Sequence, residues 1–190
     1  MTAYHMMRRA DVGAGDLVLV PGATGGVGVA AIQLLDAVGA RSVGTSTSER
    51  KLAELEARGV DHTIHSADVD EIADEMRAIH TADAMLNHLV GAYTQLGLET
   101  VKCGGTVAIC GRTADGRSTI DLQQFFLGPQ EVVGSTMGTQ PELSTLVELL
   151  ADDAFDPPVE DTYPLADAGD AFDAMIERDA FGKLIVEPSA

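Results

Sequence analysis

Positive charge is scarce in this sequence. Of 190 residues, 12 are Lys or Arg and 30 are Asp or Glu, a formal charge of −18. Such an excess excludes general attraction to nucleic acid or to an anionic membrane. Only Lys51, Lys102 and Lys183 are lysines, and the acids are scattered rather than gathered in a tail. An acidic, lysine-poor surface of this kind resembles that of proteins from halophiles that keep salt in the cytosol. Cysteine is also sparse. Cys103 and Cys110 lack CxxC spacing and exclude a disulfide framework. Free thiols fit a reducing, cytoplasmic setting. Residues 1–9 hold no apolar core of a secretion signal, and no apolar run is long enough for a membrane span.

What remains is an ordinary globular composition, 45% apolar and 22% charged, of a length that suits one domain with an appendage. Short apolar runs alternate with helical periods. Strands are expected at residues 17–21, 42–46, 60–64, 84–89, 105–110 and 131–137. Between them, apolar residues recur at helical spacing, as in Val27, Ala31, Leu34, Leu35 and Val38. Gly39 serves as a stop for that helix, and Ser48 and Asp68 as caps for later ones. Another helix opens at Pro141. Strand–helix alternation predicts an α/β fold: a doubly wound, mostly parallel Rossmann sheet with helices on both faces. The alternation ends near Pro157 and Pro158. The expected division is a dinucleotide-binding domain at 1–154 and a tail at 155–190. The tail has an extended stretch at 159–163, an amphipathic helix at 166–178 and a final strand at 184–186.

The first predicted strand runs into Gly22, Ala23, Thr24, Gly25, Gly26, Val27 and Gly28, which open a predicted helix. Glycines here permit positive φ and let a diphosphate approach backbone N–H groups. The helix N-terminus adds unsatisfied donors and partial positive charge. Gly28 would let the helix pack closely on the sheet. No Lys-Ser or Lys-Thr pair follows the glycines, which excludes a P-loop and disfavours a nucleoside triphosphatase.

The second strand ends in Ser46 where NAD-binding folds place a carboxylate for the ribose. Arg50 and Lys51 follow within five residues. Hydroxyls and cations attract a 2′-phosphate that a carboxylate would repel, so NADP(H) is expected over NAD(H). His62 and His65 lie three apart in a predicted strand and tend to opposite sides. No metal site is expected, and no zinc in this chain.

Several segments in series carry a family resemblance. They are residues 15–20 (GDLVLV), the turn GATGGVG, 30–34 (AAIQL), 87–91 (NHLVG), 104–107 (GGTV), 134–138 (GSTMG) and 181–186 (FGKLIV). The series resembles the C-terminal, cofactor-binding half of medium-chain dehydrogenase/reductases, especially the quinone-oxidoreductase and zinc-type alcohol dehydrogenase group. The resemblance implies hydride transfer between nicotinamide and a carbonyl, alcohol, quinone or activated alkene. It implies that Lys51 holds the 2′-phosphate and that Asn87, His88, Leu89 and Val90 line the adenosine side. Cys110, Gly111 and Arg112 would lie toward the nicotinamide half, with Ser135, Thr136 and Met137 beside the ring. A tyrosine that serves the phosphate in some members is replaced here near Ser66. Whole members carry an N-terminal catalytic lobe, to which the tail returns. The lobe is expected to be absent from this chain, so no catalytic residue is assigned. A homodimer joined along the sixth strand is the expected assembly. The alternative is a non-catalytic dinucleotide-binding module or subunit.

Overall fold

A computed structural model describes residues 1–152, 154–177 and 180–188. Six parallel strands form one sheet in the order β3-β2-β1-β4-β5-β6. They are β1 (Leu17–Val20), β2 (Arg41–Thr45), β3 (His62–Ile64), β4 (Ala82–Asn87), β5 (Val101–Ile109) and β6 (Glu131–Gly134). β1 sits at the reversal, pairing with β2 on one side and β4 on the other. Both of its faces are covered, and all four residues are buried, which is why it reads as an uninterrupted apolar run.

Alternation along β1 sorts the core into two layers. Val18 and Val20 face α1 (Thr2–Arg9), α2 (Gly26–Ala37) and α3 (Glu49–Glu56), through Met6, Ile32, Leu35 and Leu55. Leu17 and Leu19 face α4 (Val69–Ile79) and α5 (Tyr93–Thr100), through Ile72, Met76, Leu96 and Leu98. The expected caps form: Ser48 accepts from the Lys51 N–H, and Asp68 from the N–H groups of Asp70 and Glu71. Glu71 does not complete a capping box. Its carboxylate accepts from the Ser66 hydroxyl, and that hydroxyl accepts from the Asp68 N–H.

The chain departs from the sequence reading in several places. α1 and α6 (Leu122–Leu127) were not expected. α1 buries Ala3, Met6 and Met7, an i, i+3, i+4 set too short to stand out as a period. The sixth strand ends at Gly134, so Ser135, Thr136 and Met137 lie beyond it. The third begins at His62, leaving His65 outside the strand. The fifth strand begins at Val101, ahead of the expected residue 105, and its register against β4 shifts between Ala82 and Ala84. α7 (Gln140–Ala151) starts before Pro141, with Thr139 and Glu142 forming a capping box.

The tail forms β7 (Val159–Pro164), a 3-10 turn (Leu165–Asp167), α8 (Ala168–Glu177) and β8 (Lys183–Glu187). Arg178, the expected end of the helix, lies outside the described residues. β7 and β8 pair with each other in parallel. Phe181 anchors the tail to the body, fully buried in the α1–α2–α3 layer beneath the Arg58 guanidinium. Burying such a side chain contributes about 1.5–3 kcal/mol. The apolar face of α8 is left open, with Phe172, Met175 and Ile176 exposed. Among the described residues, no helix is long and apolar enough to cross a membrane.

Candidate functional site

In a parallel sheet, loops at the carboxyl ends of the strands around the reversal point outline a ligand crevice. The fold puts the candidate residues there. The turn containing Gly22 to Gly28 follows β1 and Ser46 follows β2. Asn87 ends β4, and His88, Leu89 and Val90 follow it. Cys110, Gly111 and Arg112 follow β5; Ser135, Thr136 and Met137 follow β6.

The turn is held by its neighbours. Gly22 adopts φ +62° and its N–H donates to Thr45 Oγ1 at 3.2 Å. The Ala23 N–H donates to the Thr45 carbonyl at 2.9 Å. A Cβ on Gly28 would lie 2.5 Å from Ala23 Cα, so only glycine lets α2 approach the turn this closely. The first intrahelical bond of α2 runs from the Val29 N–H to the Gly25 carbonyl. The N–H groups of Gly26, Val27 and Gly28 precede it, and among the described residues no side chain caps the helix. Donors left in this state, beside a glycine turn, make a cradle for an anion.

Ser46 is buried, and its hydroxyl lies 3.2 Å from that of Thr24. It also accepts from the Ser48 N–H at 3.3 Å. The two cations beyond it both engage the chain. Arg50 donates to Glu54 at 2.7 Å and lies 4.0 Å from Glu160. Lys51 is buried, and its ammonium donates to the Ala180 carbonyl at 3.1 Å.

Asn87 is wholly buried and shapes the next loop. Its Oδ1 accepts from the N–H groups of Leu89 (3.2 Å) and Val90 (2.8 Å), and its Nδ2 donates to Thr94. The two bonds help hold Val90 at φ +67°. His88 lies against the turn, its Nε2 3.4 Å from where a Gly22 Cβ would stand. Among the described residues its Nδ1 is buried with no hydrogen-bond partner. Burial holds its protonation below the ordinary range, against a smaller opposing pull from the Leu86 backbone. An orphaned ring nitrogen beside the open donors of the turn fits a site that takes a polar ligand.

The other end of the crevice is open. Arg112, Thr136 and Met137 are exposed, and the Cys110 thiol reaches only the Thr136 carbonyl, at 3.8 Å. Burial pushes that thiol up from its ordinary range, so it is a poor nucleophile. The Ser135 N–H donates to the Ile109 carbonyl. A hollow of about 340 Å³ lies elsewhere, between α4 and α5, lined by Val69, Gly91, Gln95 and Arg117 among others. None of the glycine turn lines it.

Residues 26–152 match the zinc-binding dehydrogenase family. The chain belongs to that family. It is the cofactor-binding half of the medium-chain dehydrogenases/reductases, a family of NAD(P)-dependent oxidoreductases. Among curated relatives, the chain is 32% identical to a mycocerosic acid synthase-like polyketide synthase of Mycobacterium tuberculosis over 97% of its own length and 9% of the synthase. It is 27% identical to an acryloyl-coenzyme A reductase of Sulfurisphaera tokodaii, over 97% of this chain and 55% of the reductase. Among solved structures, the 2-octenoyl-CoA carboxylase reductase CinF, in complex with NADP and 2-octenoyl-CoA, superposes with a TM-score of 0.88 at 28% identity. That match covers 97% of this chain and 46% of CinF. The chain thus spans about half or less of these proteins. Despite the family's zinc-binding name, no group of three or more His, Cys, Asp or Glu among the described residues is arranged to hold a metal ion.

The contributions of Thr45, Phe181 and Gly182 to the turn were not singled out from sequence. The FGKLIV segment was the available signal, but pattern alone does not say that a tail returns to the first strand's turn.

Proposed function

We propose that this chain binds NADP(H) in preference to NAD(H), as the cofactor domain of an oxidoreductase acting on a carbonyl, alcohol, quinone or activated alkene. The observation that carries the reading is the uncapped glycine turn with three open N–H groups beneath the crevice. Gly22, Thr24, Gly25, Gly26, Val27 and Gly28 cradle the diphosphate. Ser46 meets the ribose without the repulsion a carboxylate would bring, and Arg50 and Lys51 supply positive charge for a 2′-phosphate. Recognition exchanges their present partners, the Glu54 carboxylate and the Ala180 carbonyl, for the phosphate.

His88, Leu89 and Val90, on the loop that Asn87 shapes, line the adenosine side. Cys110, Gly111, Arg112, Ser135, Thr136 and Met137 orient the nicotinamide end. When bound, the nicotinamide gives or accepts a hydride. Among the candidate substrates, an alkene conjugated to a thioester has the most support, since an acryloyl-coenzyme A reductase and a protein holding 2-octenoyl-CoA are both similar to this chain. The boundary near residue 154, a cytoplasmic setting, a salt-adapted surface and a homodimer along the β6 edge belong to the same reading. β6 is exposed and ends the sheet, the usual place for pairing with a second copy.

Calorimetric titration with NADPH and NADH in molar KCl tests the proposal. High salt shortens the Debye length to about 3 Å and removes long-range repulsion by the acidic surface. Tighter binding of NADPH is expected. Absence of binding by either cofactor would overturn the function, whereas tighter NADH would overturn only the roles of Ser46, Arg50 and Lys51.

A further inference from the structure

Two side chains of α1 reach the loop between β6 and α7 and take hold of its two ends. His5 and Arg9 lie four residues apart and so share one face of the helix. The Arg9 Nε–H donates to the Gly134 carbonyl at 3.0 Å, where the loop begins. The His5 Nδ1 lies 2.9 Å from both carboxylate oxygens of Glu142, in the first turn of α7. That contact draws the Glu142 carboxyl below its ordinary range. The carboxylate therefore accepts, and Nδ1 carries the hydrogen. The same carboxylate accepts from the Thr139 N–H at 2.7 Å and from the Thr139 hydroxyl at 3.0 Å, where the loop ends.

The capping box of α7 closes with Thr139 and Glu142 alone, so the helix start does not need His5. The bond from His5 spans 137 residues of sequence and does what a cap cannot. It sets where the start of α7, and the loop before it, stand relative to α1. That helix is a firm base, with Ala3, Met6 and Met7 buried on another face. The His5 and Glu142 side chains are each only 16% exposed, and a hydrogen bond sheltered from water is the stronger for it. Between the two ties, Thr136 and Met137 are exposed. The loop is thus held by its ends while its middle is left uncovered.

We propose that His5 and Arg9 are positioning residues for the nicotinamide end of the cofactor. They fix the 135–139 loop, and with it Ser135, Thr136 and Met137 beside the ring, without touching the cofactor themselves. The inference rests on the dinucleotide reading above, and makes α1 a platform for the end of the crevice where side chains stand open.

The test compares two ligands by calorimetric titration: NADPH, and 2′-phospho-ADP-ribose, which keeps every phosphate and lacks only the nicotinamide ring. His5→Leu removes the donor. It should bind NADPH about fivefold more weakly and 2′-phospho-ADP-ribose with wild-type affinity. His5→Asn offers an amide N–H in place of Nδ1 and should recover most of the NADPH affinity. Arg9→Met, at an exposed position, should show the same selective loss at about threefold, and it carries the test if His5→Leu does not fold. Equal losses for the two ligands, unchanged NADPH affinity in the Leu and Met variants, or no recovery in His5→Asn would overturn the positioning role and leave the dinucleotide reading intact. No binding of either ligand by the wild-type chain would overturn that reading and the role with it.

Discussion

The two ends of the crevice are built differently. At the β1–β2 end, the turn is tied to Thr45, Ser46 is buried, and the tail crosses over to bridge Gly25 and seat Phe181. At the β5–β6 end, Arg112, Thr136 and Met137 stand exposed. The first end is finished by this chain's own residues. The second has candidate residues but little that fixes their side chains. Preorganised donors hold a ligand at low entropic cost, which is why the proposed phosphate grip is assigned to the self-contained end. The open end leaves exposed the residues proposed to orient the nicotinamide.

Breaking the closed end at its anchor should have the largest effect. Phe181→Ala removes a fully buried ring and should cost about 3–5 kcal/mol of stability, read by denaturant or thermal unfolding. It should also weaken NADPH binding by freeing the tail; unchanged affinity in the folded variant would show that the tail is not part of the site. Gly28→Ala comes next. Its Cβ would meet the Ala23 backbone at 2.5 Å, so the helix must shift, at about 1–3 kcal/mol. Titration should show cofactor binding reduced well beyond that of a matched change at the open end, Met137→Ala, whose stability should stay within about 0.5 kcal/mol of wild type. Comparable losses at the two positions would erase the contrast.

The smallest effect is pH-dependent. Burial depresses the folded-state protonation of His88 below its ordinary value near 6.5. As pH falls through that value the unfolded chain takes up a proton that the folded chain resists. This contribution to stability is therefore present above about pH 6.5 and lost toward acid, by at most about 1.4 kcal/mol per pH unit. His88→Gln should lose less stability between pH 7.5 and 5.5 than the wild type, as measured by denaturant unfolding. An identical acid slope would contradict the assignment.

Much of the closed end was legible in the sequence because backbone demands leave local marks. The doubly covered β1 shows as an apolar run, and the glycine turn announces both the tight bend and the helix start. Ser48 and Asp68 announce their caps for the same reason. Less legible were features decided by distant contacts. Nothing local says that Lys51 meets Ala180, or that α8 leaves Phe172 and Ile176 uncovered. The expected apolar face of that helix exists, but periodicity does not tell what covers it. The short α1 and α6 escaped because one or two turns carry too little pattern.

The most direct test of the diphosphate cradle is residue-resolved. In an amide NMR titration with NADPH, the largest shifts should fall on the backbone N–H groups of Gly26, Val27 and Gly28. Saturation with cofactor while those three resonances stay in place would contradict the account.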